Sequence, residues 1–275
     1  MMLEKIYRKA AQLLNKAEAL LVTAGAGMGV DSGLPDFRGD QGFWRAYPPY
    51  ERLNISFVDA ANPRHFSEDP AFGWGFYGHR ANLYRNTVPH AGFGIIRAWI
   101  QRFDPDWFVV TSNVDGQFQK AGFDGDRVCE VHGSIHHLQC TVPCCDSIWE
   151  NKEEFTVDMG TMRADHVPRC PECGAVARPN ILMFGDWSWL GGRSESQRRR
   201  LDAFLTRCAG RRLLILEMGA GTSIPTIRNL GQRVGSREGA LLVRINPREP
   251  VVRTPHLSLP VGALEGLKGI DGFLE

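Results

Sequence analysis

Long apolar runs are missing from this chain, and no stretch approaches the length that a bilayer crossing needs. Charge of one sign is missing too. The formal net charge is +1 over 275 residues, which removes a global electrostatic case for nucleic acid or for an anionic membrane. No internal repeat or low-complexity tract is present. A secretory leader is not expected either. Leu3, Ile6, Leu13, Leu14 and Ala17 are spaced as one face of an amphipathic helix, and charged residues interrupt every apolar run. The cysteines number seven, an odd count that argues against a disulfide framework where no secretion signal is read. These absences predict a soluble, cytoplasmic protein with no membrane or nucleic-acid partner; a monomer is the expectation. What is present, 43% hydrophobic and 23% charged residues, suffices for one large domain or a large domain with a smaller insert.

The organising stretch is Ala19 to Arg38. Ala19-Leu20-Leu21-Val22 reads as a strand buried on both faces, and it stops at Gly25-Ala26-Gly27, with Gly29 and Gly33 beyond. A buried strand running into glycines is how an α/β sheet brings backbone N–H groups up to a pyrophosphate. The spacing is not GxGxxG, and an ordinary turn fits this segment equally well on its own.

Further along, Gly39 to Tyr50 is rich in glycine, proline and aromatics and reads as a mobile loop. The aromatics between Ile55 and Arg85 are spaced for a small helical module, and Pro89-His90 opens a helix through Ile95, Ile96, Trp99 and Ile100. Strands are predicted at Trp107–Thr111, Val128–Val131, Leu213–Leu216 and Leu241–Ile245. Short apolar runs alternating with helical segments predict an α/β fold, a Rossmann-like parallel sheet with helices on both faces. Residues 1–42, 89–133 and 185–275 would form that domain. Residues 43–88, helical, and 134–184, metal-binding, would form a smaller one.

Cys140-x3-Cys144 and Cys170-x2-Cys173 have the reach to close one tetrahedral thiolate site, which suits structural zinc because four protein ligands leave no position for water. Gly174 permits the tight turn of the second pair. In the first pair, Cys145 could stand in for Cys144. A zinc ribbon could equally belong to a binding module, but residues 140–178 mix acidic and basic side chains instead of presenting a basic face.

The string GAGMGVDSGLPDFR closely resembles the GAGxSxxSGIPDFR signature of the sirtuins, the NAD-dependent protein deacylases, with Gly29 where that family usually carries serine or alanine. Later segments follow in the family's order. TSNVDGQFQKAG resembles its TQNID…AG motif, retaining Asn113 and Asp115 while Ser112 replaces glutamine. Val131-His132-Gly133 resembles its His-Gly, and Leu138 to Trp149 its LQCxxxCxxxIW, which favours Cys144 as the ligand. Arg178 to Asp186 resembles RPxxVxFGE, Gly221-Thr222-Ser223 its GTS turn, and Asn246 and Gly262-Ala263 its adenosine contacts.

The resemblance implies two cofactors, NAD and a structural zinc ion, and an acyl-lysine protein as substrate. NAD would be bound by Gly25, Ala26, Gly27, Asp36, Phe37, Arg38, Ser112, Asn113, Asp115, Gly221, Thr222, Ser223, Asn246 and Ala263. The acyl oxygen would attack the ribose anomeric carbon and expel nicotinamide. Asn113 and Asp115 would place the nicotinamide end, Phe37 would shield the reacting face, and His132 would take a proton from the ribose hydroxyls. Neutral imidazole suits that task near neutral pH. The other seven histidines default to structural roles. Phe184 and Gly185 would pair with the substrate peptide as an added strand. Tyr77 and Arg80 fit the Tyr-x-x-Arg pair of sirtuins that remove succinyl or malonyl groups, the guanidinium forking onto the distal carboxylate. Their plainer role is packing one turn apart on a helix. The alternatives are mono-ADP-ribosyl transfer or NAD hydrolysis at the same cofactor site, and a binding module without catalysis.

Overall fold

The computed structural model describes residues 2–36, 39–142 and 144–274. The described residues contain eleven strands: β1 (Ala19–Ala24), β2 (Asp106–Thr111), β3 (Val128–Glu130), β4 (Gly133–Cys140), β5 (Ile148–Glu150), β6 (Val157–Asp158), β7 (Arg163–Ala164), β8 (Ala177–Ile181), β9 (Leu213–Met218), β10 (Ala240–Ile245) and β11 (Leu257–Leu259). Six of them form one parallel sheet in the order β11-β10-β9-β1-β2-β3. Strand β1 is buried along its whole length, and the period of two sends its side chains to two cores. Leu20, Val22 and Ala24 join the apolar cluster made with the helices Met2–Asn15, Ala91–Phe103 and Ala263–Asp271. Ala19 and Leu21 join the cluster on the other face, under the helices Gly192–Arg207 and Thr226–Gly235. The parallel α/β architecture predicted from sequence is the one observed.

The order reverses between β1 and β9, since the chain proceeds from β1 outward to β2 and from β9 outward to β10. Open parallel sheets bind ligands in the crevice at the carboxyl ends of such a pair.

A third apolar cluster lies beside the sheet. Its aromatics include Phe43, Tyr47, Tyr50, Phe66, Trp74, Phe76, Tyr77 and Phe155. It is roofed by the helix Pro70–Asn86 and floored by the antiparallel sheet β5-β4-β8. Trp74 joins the two, stacking on Phe155 at 4.6 Å while its Nε1 donates to the Ala177 carbonyl at 2.8 Å.

Two sequence expectations are corrected. Gly39 to Tyr50 is not a loop but carries the helices Gly39–Ala46 and Pro48–Arg52. Their stability comes from tertiary packing: the Phe43 ring lies 5.1 Å from Tyr50 and 5.6 Å from Phe76, and Pro48 takes the first helical position, where no N–H is needed. The sixth strand, β11, was not predicted. Its three residues at the sheet edge offer no periodicity to read.

Candidate active site

Each loop at the switch point is set by glycine. Gly219 follows β9 at φ +61°, and a Cβ there would lie 2.4 Å from the Gly27 backbone. A Cβ on Gly25 would lie 2.7 Å from the Gly219 carbonyl oxygen. The two turns therefore touch backbone to backbone, and Gly27 N–H closes the contact by donating to Gly219 O at 3.1 Å. Asn113, just beyond β2, adds a third tie. Its Nδ2 donates to Gly25 O at 3.0 Å, while its backbone N–H donates to Thr111 Oγ1.

A cavity of about 730 Å³ opens over this junction and reaches the aromatic cluster. Its walls include Gly25, Ala26, Asp36, Ser112, Asn113, Asp115, Gly221, Thr222 and Ser223 from the sheet side. Tyr77, Arg80 and Phe184 line the other side, and His132 also faces the cavity. The sequence thus named residues from seven separate stretches that the fold gathers around one space. Gly27, Gly185, Asn246 and Ala263 are not among the described wall residues. Gly27 acts through its backbone contact. Asn246 is fully buried and shapes the wall from behind, its Nδ2 donating to Ala220 O at 2.9 Å and its Oδ1 accepting from Arg248 and Glu249 N–H. Ala263 begins the last helix and Gly185 is exposed in a turn at φ +67°. Phe37 and Arg38 lie outside the described residues.

His132 is carried by the backbone between β3 and β4. Gly133 lets this hinge press on β8, since a Cβ there would lie 2.0 Å from Asn180 O. Leu182 N–H donates to His132 O at 3.0 Å, which ties the histidine to the cavity wall at 182–184. Burial holds its imidazole below the ordinary value, opposed by a hydrogen bond with the Ser112 backbone. A neutral imidazole is therefore the resting form near pH 7, and its Nε2 lies 3.4 Å from Thr226 Oγ1. Asp115 behaves in the opposite sense. Burial, with Glu130 nearby, pushes its carboxyl up to about 6, although Oδ1 accepts from Gln117 N–H at 3.0 Å.

Several wall residues were not singled out from sequence. Tyr84, on the same helix as Tyr77 and Arg80, is one; Leu182, Met183 and Glu249 are others. Tyr84 follows Arg80 by one helical turn, so its share of that face could have been read from the helix period.

The four sulfurs of Cys140, Cys144, Cys170 and Cys173 lie within 4.8 Å of one another. Cys140 and Cys173 are 3.6 Å apart and Cys144 and Cys170 3.7 Å. Four converging thiols are the donor set of a closed zinc site, so these residues fit the metal. Among the described residues Cys145 is not in this group of four, and its sulfur lies 3.5 Å from that of Cys144.

The model of the Sir2 family matches residues 25–196. The chain belongs to the Sir2 family. Among sirtuin relatives, it is 30% identical over 255 residues to NAD-dependent protein deacylase 1 of Caldanaerobacter subterraneus subsp. tengcongensis, covering 92% of each chain. It is also 30% identical over 264 residues to an NAD-dependent protein deacylase of Thermus thermophilus, covering 94% of this chain and 91% of that one. A solved Sir2 homologue in complex with NAD shares the fold at a TM-score of 0.68 and 23% identity, over 97% of this chain and 94% of that one.

Proposed function

We propose that this sirtuin is an NAD-dependent protein-lysine deacylase whose reaction runs in the cavity between the glycine turns and the aromatic cluster. NAD, when bound, supplies nicotinamide as leaving group and ADP-ribose as acyl acceptor. The space fits a dinucleotide in two respects: its volume suits a ligand of that size, and the turns at Gly25 and Gly219 leave no room for a side chain against the backbone. Gly25, Ala26, Asp36, Ser112, Asn113, Asp115 and the Gly221–Ser223 turn would hold the cofactor. Gly27, Asn246 and Ala263 would support it from behind, with Phe37 and Arg38 continuing the loop after Asp36.

His132 accepts a proton in this reading. Its lowered pKa keeps the imidazole neutral and able to act as a base. Phe184, whose N–H donates to Ala61 O, would present the peptide-pairing edge with Gly185. Tyr77 and Arg80 would face the acyl chain and favour one ending in a carboxylate. The four cysteines would hold a structural zinc ion, and none of them is among the described wall residues of the cavity. Residues 43–88 and 134–184 would act as the smaller domain against the sheet domain. We further propose a cytoplasmic monomer without a nucleic-acid partner, a reading supported by the even charge balance.

The observation that carries this reading is the presence of His132 on the wall of the same cavity as both the glycine turns and Tyr77–Arg80. Nicotinamide release with NAD and a panel of acyl-lysine peptides tests it, with His132→Ala alongside. Peptide-dependent release, O-acyl-ADP-ribose by mass spectrometry, and loss of both in His132→Ala are expected. ADP-ribosylated protein or free ADP-ribose as the product would point to transfer or NAD hydrolysis instead. No nicotinamide at all would point to a binding module.

A further inference from the structure

We propose that Tyr84 is a positioning residue: its hydroxyl fixes the Arg80 guanidinium in the cavity and so sets selectivity for acyl chains that end in a carboxylate. The inference rests on the reading that Tyr77 and Arg80 face the acyl chain. Arg80 and Tyr84 stand one turn apart on the helix Pro70–Asn86, and both are buried yet line the cavity. Arg80 Nε donates to Tyr84 Oη at 2.9 Å and Nη2 donates to the same oxygen at 2.6 Å. The guanidinium carbon lies 4.9 Å from the Phe76 ring centre, 5.7 Å from Tyr77 and 5.3 Å from Tyr84.

An unrestrained arginine side chain is rich in rotamers, and a bound carboxylate would have to overcome that entropy. Two bonds to one hydroxyl, within a frame of three rings, remove most of that freedom beforehand. A neutral phenol orients a cation without cancelling its charge. Having accepted two N–H bonds, the Tyr84 oxygen still has its own proton to donate. Tyr84 is itself held from behind. Gln117 Nε2 donates to the Tyr84 carbonyl at 3.1 Å, and Gln117 N–H donates to Asp115 Oδ1. The clamp on the acyl side is thereby tied to the residue proposed for the nicotinamide end.

Steady-state kinetics on matched succinyl- and acetyl-lysine peptides test the proposal, using the parent, Tyr84→Phe, Arg80→Met and the double variant. Tyr84→Phe keeps the ring and removes only the acceptor oxygen, and thermal melting checks that it folds. The succinyl-to-acetyl ratio of kcat/KM should fall about tenfold in Tyr84→Phe, the size expected for a lost hydrogen bond to a charged group. The change should sit in KM for the succinyl peptide. The double variant should be no less selective than Arg80→Met alone, because Tyr84 acts through Arg80. If Arg80→Met lowers the ratio and Tyr84→Phe leaves it unchanged, the role of Tyr84 is refuted while the carboxylate reading stands. If neither variant moves the ratio, the carboxylate reading itself fails, and the role of Tyr84 with it.

Discussion

Arg178 and Asp186 form an ion pair sealed from solvent, Nη1 to Oδ2 at 2.7 Å, with side chains 1% and 0% exposed. The same carboxylate oxygen accepts from Met183 N–H at 3.3 Å, so the pair also sets the strip of wall that ends in Phe184. Breaking a buried pair from one side strands a charge, whereas replacing both partners with apolar groups does not. Arg178→Met should cost about 3 kcal/mol of unfolding free energy, measured by urea denaturation. Arg178→Met/Asp186→Leu should recover most of that loss, because among the described residues the Nε and Nη2 of Arg178 are buried without partners and their desolvation is relieved. A single-variant loss below about 1 kcal/mol would mean that water reaches the pair in solution.

The zinc site gives a sharper contrast between neighbouring residues. Cys144 contributes one of the four converging sulfurs and Cys145 does not. Cys144→Ser should lower zinc content well below one ion per chain and destabilise the module, whereas Cys145→Ser should keep the full complement. Elemental analysis of purified protein reads both. Equal zinc loss in the two variants would put Cys145 in the ligand set. Strong chelation should unfold residues around the cysteines first, since binding energy of a structural metal is folding energy.

Much of the sheet and of the cavity was legible in sequence because local pattern and final environment agree there. Ala19–Val22 is apolar at every position, and a strand between two layers of helix requires that. Glycines at 25 and 219 mark backbone contacts that leave no room for a side chain. Residues 39–50 misled because glycine and proline indicate a loop locally, while Phe43 and Tyr50 are held helical by rings remote in sequence, with Tyr47 between the two helices. Asn246 follows its strand as expected, yet its side chain is spent on Ala220 and two backbone N–H groups, a detail that no strand pattern encodes. Tyr84 shares the face of Arg80 by helix period, but its bonds to the guanidinium are side-chain geometry that no period encodes.

Stability and activity should both respond to acid. Burial holds the imidazoles of His79, His90, His132, His136, His137 and His256 below the ordinary value of 6.5, His137 down to about 4. The unfolded chain takes up protons near 6.5, before the folded chain does. The contribution of these groups is therefore complete above that pH and lost as pH falls through their folded values. Asp115 works against the trend, since its folded value of about 6 adds stability at low pH that is lost as pH rises through 6. With six imidazoles against two carboxyls raised by burial, Asp115 and Glu217, the urea midpoint should be lower at about pH 5 than at about pH 7.5. In kcat/KM, the acid limb assigned to His132 should lie below 6.5. A limb above 7 that disappears in a His132 variant would contradict the buried, neutral imidazole.

The contact between Gly219 and Gly27 can be tested by adding one methyl group. Gly210→Ala serves as the control, because Gly210 also has positive φ, +74°, but a Cβ there meets nothing within 4 Å. That variant should lose only the backbone preference, about 1 kcal/mol. Gly219→Ala carries the same preference and adds a clash at 2.4 Å with backbone that cannot rotate away. Its loss of stability should clearly exceed the control's, by urea denaturation. Because the clash would prise the turn after β9 from the turn after β1, KM for NAD should rise at least tenfold while the control keeps the parent value. Equal behaviour of the two variants would mean that the turns do not touch in solution, and the cofactor site would have to be placed elsewhere along the strand ends.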